Sequence, residues 1–232
     1  MAVIIPCAGQ SSRFPGTRPK FLLTLYNGDT MFERAAKQYL KLDEDVHFII
    51  LREHVEKYDA ELAIQLAFPD CKRVHIHILE EPTSGPAETV YTVAKQLGDE
   101  NIFIQDCDSY FDSNLNNGNQ VCVADLANFK EVNNTAAKSY AILNDQGMVA
   151  NIVEKSVVSN YICVGGYGFE SASEFCKAFE NLNKSSGEIF ISHIIKSMLE
   201  YAAFDAHEVT EYVDVGTYEE FVKYNQSRPT IF

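Results

Sequence analysis

Ala2-Val3-Ile4-Ile5-Pro6-Cys7-Ala8-Gly9-Gln10-Ser11-Ser12-Arg13, followed shortly by Pro19-Lys20, decides how the rest of the chain is read. An apolar run of this length reads as a buried strand. It breaks into small residues, which let a backbone approach a ligand closely and turn its N–H groups toward phosphate oxygens. Arg13 and Lys20 then bring two cations to the same loop. Such a loop suits a nucleoside triphosphate. Its single glycine matches neither the dinucleotide fingerprint nor the P-loop, and by itself the stretch also fits a plain strand-to-helix connection with two solvated cations.

Working outward, strand and helix signals alternate. Thr30-Met31-Phe32-Glu33 has the form of a capping box, and the apolar spacing after it predicts a helix near 31–41. Strands follow at 46–51, 74–79 and 102–104, with helices at 53–68 and 87–97 between them. This alternation implies βαβ units and a mostly parallel sheet. The second half reads differently. Strands at 120–126, 138–143, 148–155 and 161–169 surround a hairpin turn at Asn144-Asp145-Gln146-Gly147. Helices at 171–182 and 188–202, a short strand at 205–213 and a last helix at 217–226 complete the chain. Asn114 to Asn119 reads as a surface loop. The expectation is one α/β domain over 1–232, a Rossmann-like three-layer fold with a mixed, mostly parallel sheet and a hairpin-bearing C-terminal subregion. Residues 1–112 would form its nucleotide-binding half and 113–232 its acceptor-binding half.

Length and composition narrow the class. The 232 residues suffice for a real core. No apolar run is long enough for a membrane span, and the N-terminus lacks a signal-peptide pattern. The formal charge of −14 argues against nonspecific nucleic-acid binding, which needs a basic face. It leaves room for a nucleotide met by a few local cations and a metal. The six cysteines, at 7, 71, 107, 122, 163 and 176, contain no C-x-x-C pair and read as reduced cytoplasmic thiols. His75 and His77 alternate along a strand and read as packing or surface residues rather than ligands.

Asp106 and Asp108 follow the buried strand at 102–104. In extended backbone their spacing puts both carboxylates on one side, at the sheet edge where open α/β folds bind ligands. Two acids beside a phosphate site are what Mg²⁺ needs. A D-x-D pair also occurs in glycosyltransferases that use nucleotide sugars, so it does not fix the reaction.

Taken in order, these stretches resemble the sugar-phosphate nucleotidyltransferases. The opening Ala8-Gly9, Arg13 and Pro19-Lys20 is similar to that family's signature, although Pro6-Cys7 and Gln10-Ser11-Ser12 depart from its usual small residues and second glycine. Thr83-Ser84-Gly85-Pro86-Ala87-Glu88-Thr89 resembles its base-recognition turn, and Tyr212-Val213-Asp214-Val215-Gly216-Thr217 its second metal motif, with Tyr where Trp is frequent. Asn144 to Lys155, then Val164-Gly165-Gly166-Tyr167, resembles its substrate segment, with Ser156 where a Pro is usual. Gly187-Glu188-Ile189-Phe190-Ile191 is a weaker likeness near the sugar site.

The resemblance implies Mg²⁺ on Asp108 and Asp214, with Arg13, Lys20 and Asp108 as catalytic groups. Ala8, Gly9, Gly85 and Asp106 would touch the nucleotide, and Glu154, Lys155 and Gly165 the second substrate. The implied reaction joins a nucleoside triphosphate to a phosphorylated small molecule, a sugar 1-phosphate above all, and releases pyrophosphate. Three alternatives stay open: a cytidylyltransferase acting on a phosphocholine-like compound, a glycosyltransferase, and a non-catalytic nucleotide sensor. The expected setting is a cytoplasmic enzyme of glycan-precursor synthesis, with neither nucleic acid nor membrane as partner and a homo-oligomer allowed.

Overall fold

The computed structural model describes residues 1–113, 115–129, 132, 134–182 and 187–226. In chain order the first elements are β1 (Ala2–Pro6), α1 (Met31–Leu40), β2 (Asp45–Leu51), α2 (Arg52–Tyr58), α3 (Ala60–Ala67), β3 (Val74–Leu79), α4 (Pro86–Ala94), β4 (Ile102–Gln105) and β5 (Ser109–Phe111). They are followed by β6 (Gln120–Asp125), β7 (Ser139–Leu143), β8 (Val149–Glu154), β9 (Tyr161–Phe169), α5 (Ala172–Asn181), α6 (Ile191–Met198), β10 (Asp205–Glu208), β11 (Tyr212–Asp214) and α7 (Tyr218–Gln226). The fold class is the expected one, mixed α/β with a mostly parallel sheet. The chain packs as two compact units. The first comprises Ala2–Thr83, Gln105–Tyr110 and the chain from Val213 on; the second comprises Met1, Ser84–Ile104 and Phe111–Tyr212.

In the first unit β1, β2 and β3 run parallel, with Ala2 opposite Asp45 and Val46 opposite Val74. Ala2 to Ile5 and Val46 to Leu51 are buried throughout, which explains why β1 is a continuous apolar run and β2 is one apart from His47. α1 starts at the expected capping box: Glu33 N–H donates to Thr30 Oγ1 at 3.3 Å, and Thr30 N–H to Glu33 Oε2 at 2.8 Å. Phe32 of α1 packs edge-on against Phe48 of β2 and against Phe68.

The helix expected over 53–68 is two helices. Asp59 sits at φ 51°, ψ 36°, the left-handed region that Asp tolerates better than most residues, and this breaks the run between α2 and α3. On the other side of β2, His47 stacks on His75 and His77, and its Nδ1 lies 3.0 Å from His77 Nε2.

In the second unit the order is β10–β6–β9–β4, with β10 parallel and β9 antiparallel to β6. β7 and β8 form the expected hairpin. Asn144 Oδ1 accepts from Gln146 and Met148 N–H, and Gly147 takes the left-handed conformation that closes the turn. Phe169 meets Phe175 and Phe204 edge-on in the core.

Two expected boundaries move. The helix expected from 188 begins at Ile191, because Ile189 is held in extended pairing: its N–H donates to Ser84 O and its carbonyl accepts from Ala87 N–H. The strand expected over 205–213 is β10 and β11. Between them, Thr210 and Glu211 N–H both turn to Asp112 Oδ1 at 2.8 Å. The loop expected at Asn114 to Asn119 begins on a residue outside the described set.

Candidate active site

The glycine loop is built from β1 outward. Cys7 N–H still donates to Ile49 O at 2.8 Å, so the backbone leaves the sheet only at Ala8. Ala8 is buried, Gly9 is exposed, and a Cβ on Gly9 would meet nothing within 4 Å. Ser11 is left-handed at φ 52° and turns the chain where a second glycine would do so with less strain. Its Oγ accepts the Lys20 N–H at 2.9 Å and closes the loop on itself. Phe14 is buried against Tyr218 and Phe221 of α7, which pins the loop beside Arg13. Arg13 is exposed and close enough to Lys20 for each to feel the other's charge.

Asp106-Cys107-Asp108 forms a turn rather than an extended segment. Ser109 N–H donates to Asp106 O at 3.4 Å, and Gln105 Nε2 braces the turn by donating to both Asp106 O and Ser109 O at 2.8 Å. Gln105 is itself held by the buried Tyr39 hydroxyl of α1, which donates to Gln105 Oε1 at 2.5 Å. The expectation that both carboxylates share one strand face therefore does not hold. Asp108 is the member that meets the loop, where Lys20 Nζ donates to Asp108 Oδ2 in an ion pair.

β11 pairs with β5 and delivers the second acid. Val215 N–H donates to Asp108 O at 2.9 Å, and Gly216 N–H donates to Asp214 Oδ1 at 2.8 Å. A Cβ on Gly216 would stand 2.9 Å from Asp108 Oδ2 and 2.9 Å from Asp214 Oδ1. The two carboxylates thus converge on one point, and glycine is what leaves that point open. Two hard oxygen donors converging beside cations fit Mg²⁺, which takes few protein ligands and completes its shell with water and phosphate oxygens. Asp108 and Asp214 are the residues that could hold it.

Burial works against the Lys20 ammonium, but the Asp108 carboxylate outweighs it and raises the lysine pKa, so the side chain stays charged. Cys7 and Cys107 are in hydrogen-bond contact beneath this pair. Burial pushes the Cys7 thiol well up and keeps it neutral. All six cysteines are free.

The remaining candidates lie in the second unit. At Gly85 a Cβ would be 2.6 Å from Ile189 O and 2.7 Å from Ile189 N, so backbone already fills the space that the glycine opens. The glycine is explained by this packing. Lys155 follows β8 in the left-handed region at φ 53°, which costs a non-glycine residue about 1–2 kcal/mol. A proline at 156 would drive residue 155 toward extended backbone, so Ser156 is compatible with the turn seen here. Lys155 Nζ lies 4.1 Å above the Phe190 ring and 4.0 Å from Glu188 Oε2. Glu154 Oε2 accepts hydrogen bonds from the hydroxyls of Ser139 and Ser192. Gly165 is buried at φ 88°, a left-handed position within β9.

The structure brings together Lys20, Asp108 and Asp214, all named from the sequence, and adds bracing contacts by Ser11, Gln105, Ser139 and Ser192 that the sequence reading did not name. Each of these acts through a contact that no local pattern marks. Among the described residues no helix is long and apolar enough to cross a membrane, and no group of three or more His, Cys, Asp or Glu could hold a metal.

Residues 3–116 match the family described as the MobA-like NTP transferase domain. A search among curated proteins finds no match. Among solved structures, the chain is similar to the nucleoside-diphosphate-sugar pyrophosphorylase from Vibrio cholerae RC9, with a TM-score of 0.79 and 22% identity over 97% of this chain and 99% of that one. It is also similar to a UDP-glucose pyrophosphorylase complexed with UDP-glucose, with a TM-score of 0.77 and 14% identity over 97% of each chain. The inositol-1-phosphate CTP transferase from T. maritima aligns with a TM-score of 0.72 and 11% identity over 94% of this chain and 90% of that one. At such identities these likenesses establish the fold. The stretch from β1 through the Asp106-Cys107-Asp108 turn thus matches an NTP transferase domain of the MobA-like kind, within a chain that has the fold of the nucleotidyltransferases it resembles.

Proposed function

We propose that this enzyme is Mg²⁺-dependent and joins a nucleoside triphosphate to a sugar 1-phosphate, giving a nucleotide-activated sugar and pyrophosphate. The observation that carries the reading is the convergence of Asp108 and Asp214 over Gly216, with Lys20 paired to Asp108. In the reaction a phosphate oxygen of the acceptor forms a bond to the α-phosphorus, and the bond from that phosphorus to the β-phosphate oxygen breaks. The electron pair leaves with pyrophosphate. A phosphate monoester is already an anionic nucleophile, so no general base is required. The difficulty is bringing two anions together, and positioning with charge neutralisation supplies the acceleration.

Lys20 is held charged and offers its ammonium to the reacting phosphates. Arg13, exposed on the same loop, stabilises the departing pyrophosphate. Ala8 and Gly9 let the backbone come close to the nucleotide. Mg²⁺ held by Asp108 and Asp214 would supply charge neutralisation at the phosphates, with Asp106 contributing near the nucleotide. In the second unit Lys155 is assigned the acceptor's phosphate, Glu154 a sugar hydroxyl, and Gly165 the close approach of the ring.

A quaternary-ammonium acceptor such as phosphocholine wants an open aromatic face. The Phe190 face is covered by Lys155 Nζ, which favours a hydroxyl-bearing acceptor. The two cations of the first loop likewise favour a triphosphate over a nucleotide sugar as donor. The product would feed glycan-building transferases.

The test is pyrophosphate release with Mg²⁺ and each of ATP, GTP, CTP, UTP and dTTP, against sugar 1-phosphates and phosphocholine. Release with one nucleotide that depends on a sugar 1-phosphate is the expected result. Release with phosphocholine alone, or sugar transfer from a nucleotide sugar without pyrophosphate, refutes the reading.

A further inference from the structure

Glu154 stands at the end of β8, and its Oε2 takes two hydroxyl donors from separate elements. One is Ser139 Oγ, at the start of β7 and directly opposite Glu154 in the hairpin register. The other is Ser192 Oγ at 2.6 Å, from the first turn of α6, 38 residues away in sequence. α6 is amphipathic and buries Ile191, Ile194, Ile195 and Met198. Ser192 is buried with them at 2% exposure, a place where a hydroxyl carries a desolvation cost unless it has a partner. Its partner is the carboxylate. Among the described residues no donor reaches Glu154 Oε1.

One oxygen is therefore committed to the protein and the other is left for a ligand. A glutamate on a strand end has three side-chain torsions to settle before its carboxylate can point, and two hydroxyls from separate elements on one oxygen restrict them. Hydrogen bonds to a charged group are also stronger than those between neutral groups.

We propose that Ser192, assisted by Ser139, is a positioning residue of the acceptor site: it fixes the Glu154 carboxylate so that Oε1 is presented to a hydroxyl of the acceptor. The proposal rests on the acceptor role given to Glu154 above. It adds two residues that lie outside the motif that carries Glu154. The serine on α6 also makes acceptor recognition depend on how that helix packs on β8.

The test is steady-state pyrophosphate release by wild-type, Ser192→Ala, Ser192→Thr and the Ser139→Ala/Ser192→Ala double variant, with KM and kcat measured for each substrate. Ser192→Ala is expected to raise the acceptor KM about tenfold, the scale of one lost hydrogen bond to a charged group. The triphosphate KM and the thermal midpoint should stay near wild-type. Ser192→Thr keeps a hydroxyl and should restore the acceptor KM to within about threefold, while the double variant should be worse than Ser192→Ala. An unchanged acceptor KM in Ser192→Ala, or equal changes in both KM values, overturns the positioning role and leaves the nucleotidyltransferase reading standing. No turnover by the wild-type enzyme with any sugar 1-phosphate refutes the acceptor reading and this role with it.

Discussion

Replacing Gly216 by alanine tests the geometry of the carboxylate pair more sharply than removing either acid. The new Cβ would lie 2.9 Å from Asp108 Oδ2 and from Asp214 Oδ1, against 3.4 Å or more for ordinary contact, so each oxygen must recede by about 0.5 Å. Both atoms are side-chain ends that can shift with their partners, Asp108 Oδ2 with Lys20 and Asp214 Oδ1 with Gly216 N–H, and the cost in stability should stay below about 1.5 kcal/mol, within the range of mild overpacking. For a chain of this size that is a fall in Tm of no more than about 6 °C. The cost to chemistry should be larger in proportion. A misplacement of about 1 Å can cost about a hundredfold in rate, so a displacement of half that at both acids should cost on the order of tenfold in kcat and raise the Mg²⁺ concentration needed for half-activity.

Pyrophosphate release across a Mg²⁺ titration, paired with thermal unfolding, reads both quantities. Gly168→Ala is the control. Its Cβ would meet Gln120 Cγ at 2.6 Å and Gly118 O at 3.0 Å in the second unit, so it should lose about 1–3 kcal/mol of stability. Activity per folded molecule should change little. Wild-type kcat and Mg²⁺ dependence in a folded Gly216→Ala enzyme would refute the claim that the point above Gly216 is where the acids converge on a ligand.

Gly85→Ala should destabilise by about 1–3 kcal/mol, because the atoms it strikes are the Ile189 backbone O and N at 2.6 and 2.7 Å and cannot rotate away; chemical denaturation measures this. Acid should weaken the fold through His47. Burial, followed by the charges of His75 and His77 stacked beside it, lowers its pKa from 6.5 to about 4, while Asp45 pulls the other way. The fold prefers the neutral imidazole, so the stability His47 carries is complete above pH 6.5 and is lost as pH falls toward 4. At about 1.4 kcal/mol per unit this amounts to at most about 3.5 kcal/mol, reduced by solvent screening. Denaturation at pH 7 and pH 4.5 should show a smaller acid-induced loss in His47→Gln than in wild-type.

The fold was legible wherever one pattern controls the local structure. The apolar runs of β1 and β2, the capping box at Thr30 and Glu33 and the Asn144–Gly147 turn each specify their own geometry within a few residues. The departures came where a distant group intervenes. Ile189 pairs with Ser84 and so delays α6, and the Asp112 carboxylate separates β10 from β11. At Asp59 an αL residue inside an amphipathic pattern carries no periodic signal.

The site divides in the same way. Lys20, Asp108 and Asp214 could be named from their order along the chain. The bracing of the Asp108 turn by Tyr39 and Gln105, and of Glu154 by two serines, depends on tertiary contacts. The spacing of Asp106 and Asp108 suggested a shared face, because the alternation rule assumes extended backbone and the chain turns there instead.

Thermal unfolding of wild-type and Asp108→Asn, with each triphosphate in the presence and absence of Mg²⁺, tests the central claim most directly. A nucleotide at about a hundred times its Kd adds about 2.7 kcal/mol, a rise of roughly 5–10 °C here. The account predicts that rise for one nucleotide with Mg²⁺ in the wild-type enzyme and its loss in Asp108→Asn. The same rise in Asp108→Asn, or one indifferent to Mg²⁺, would contradict it.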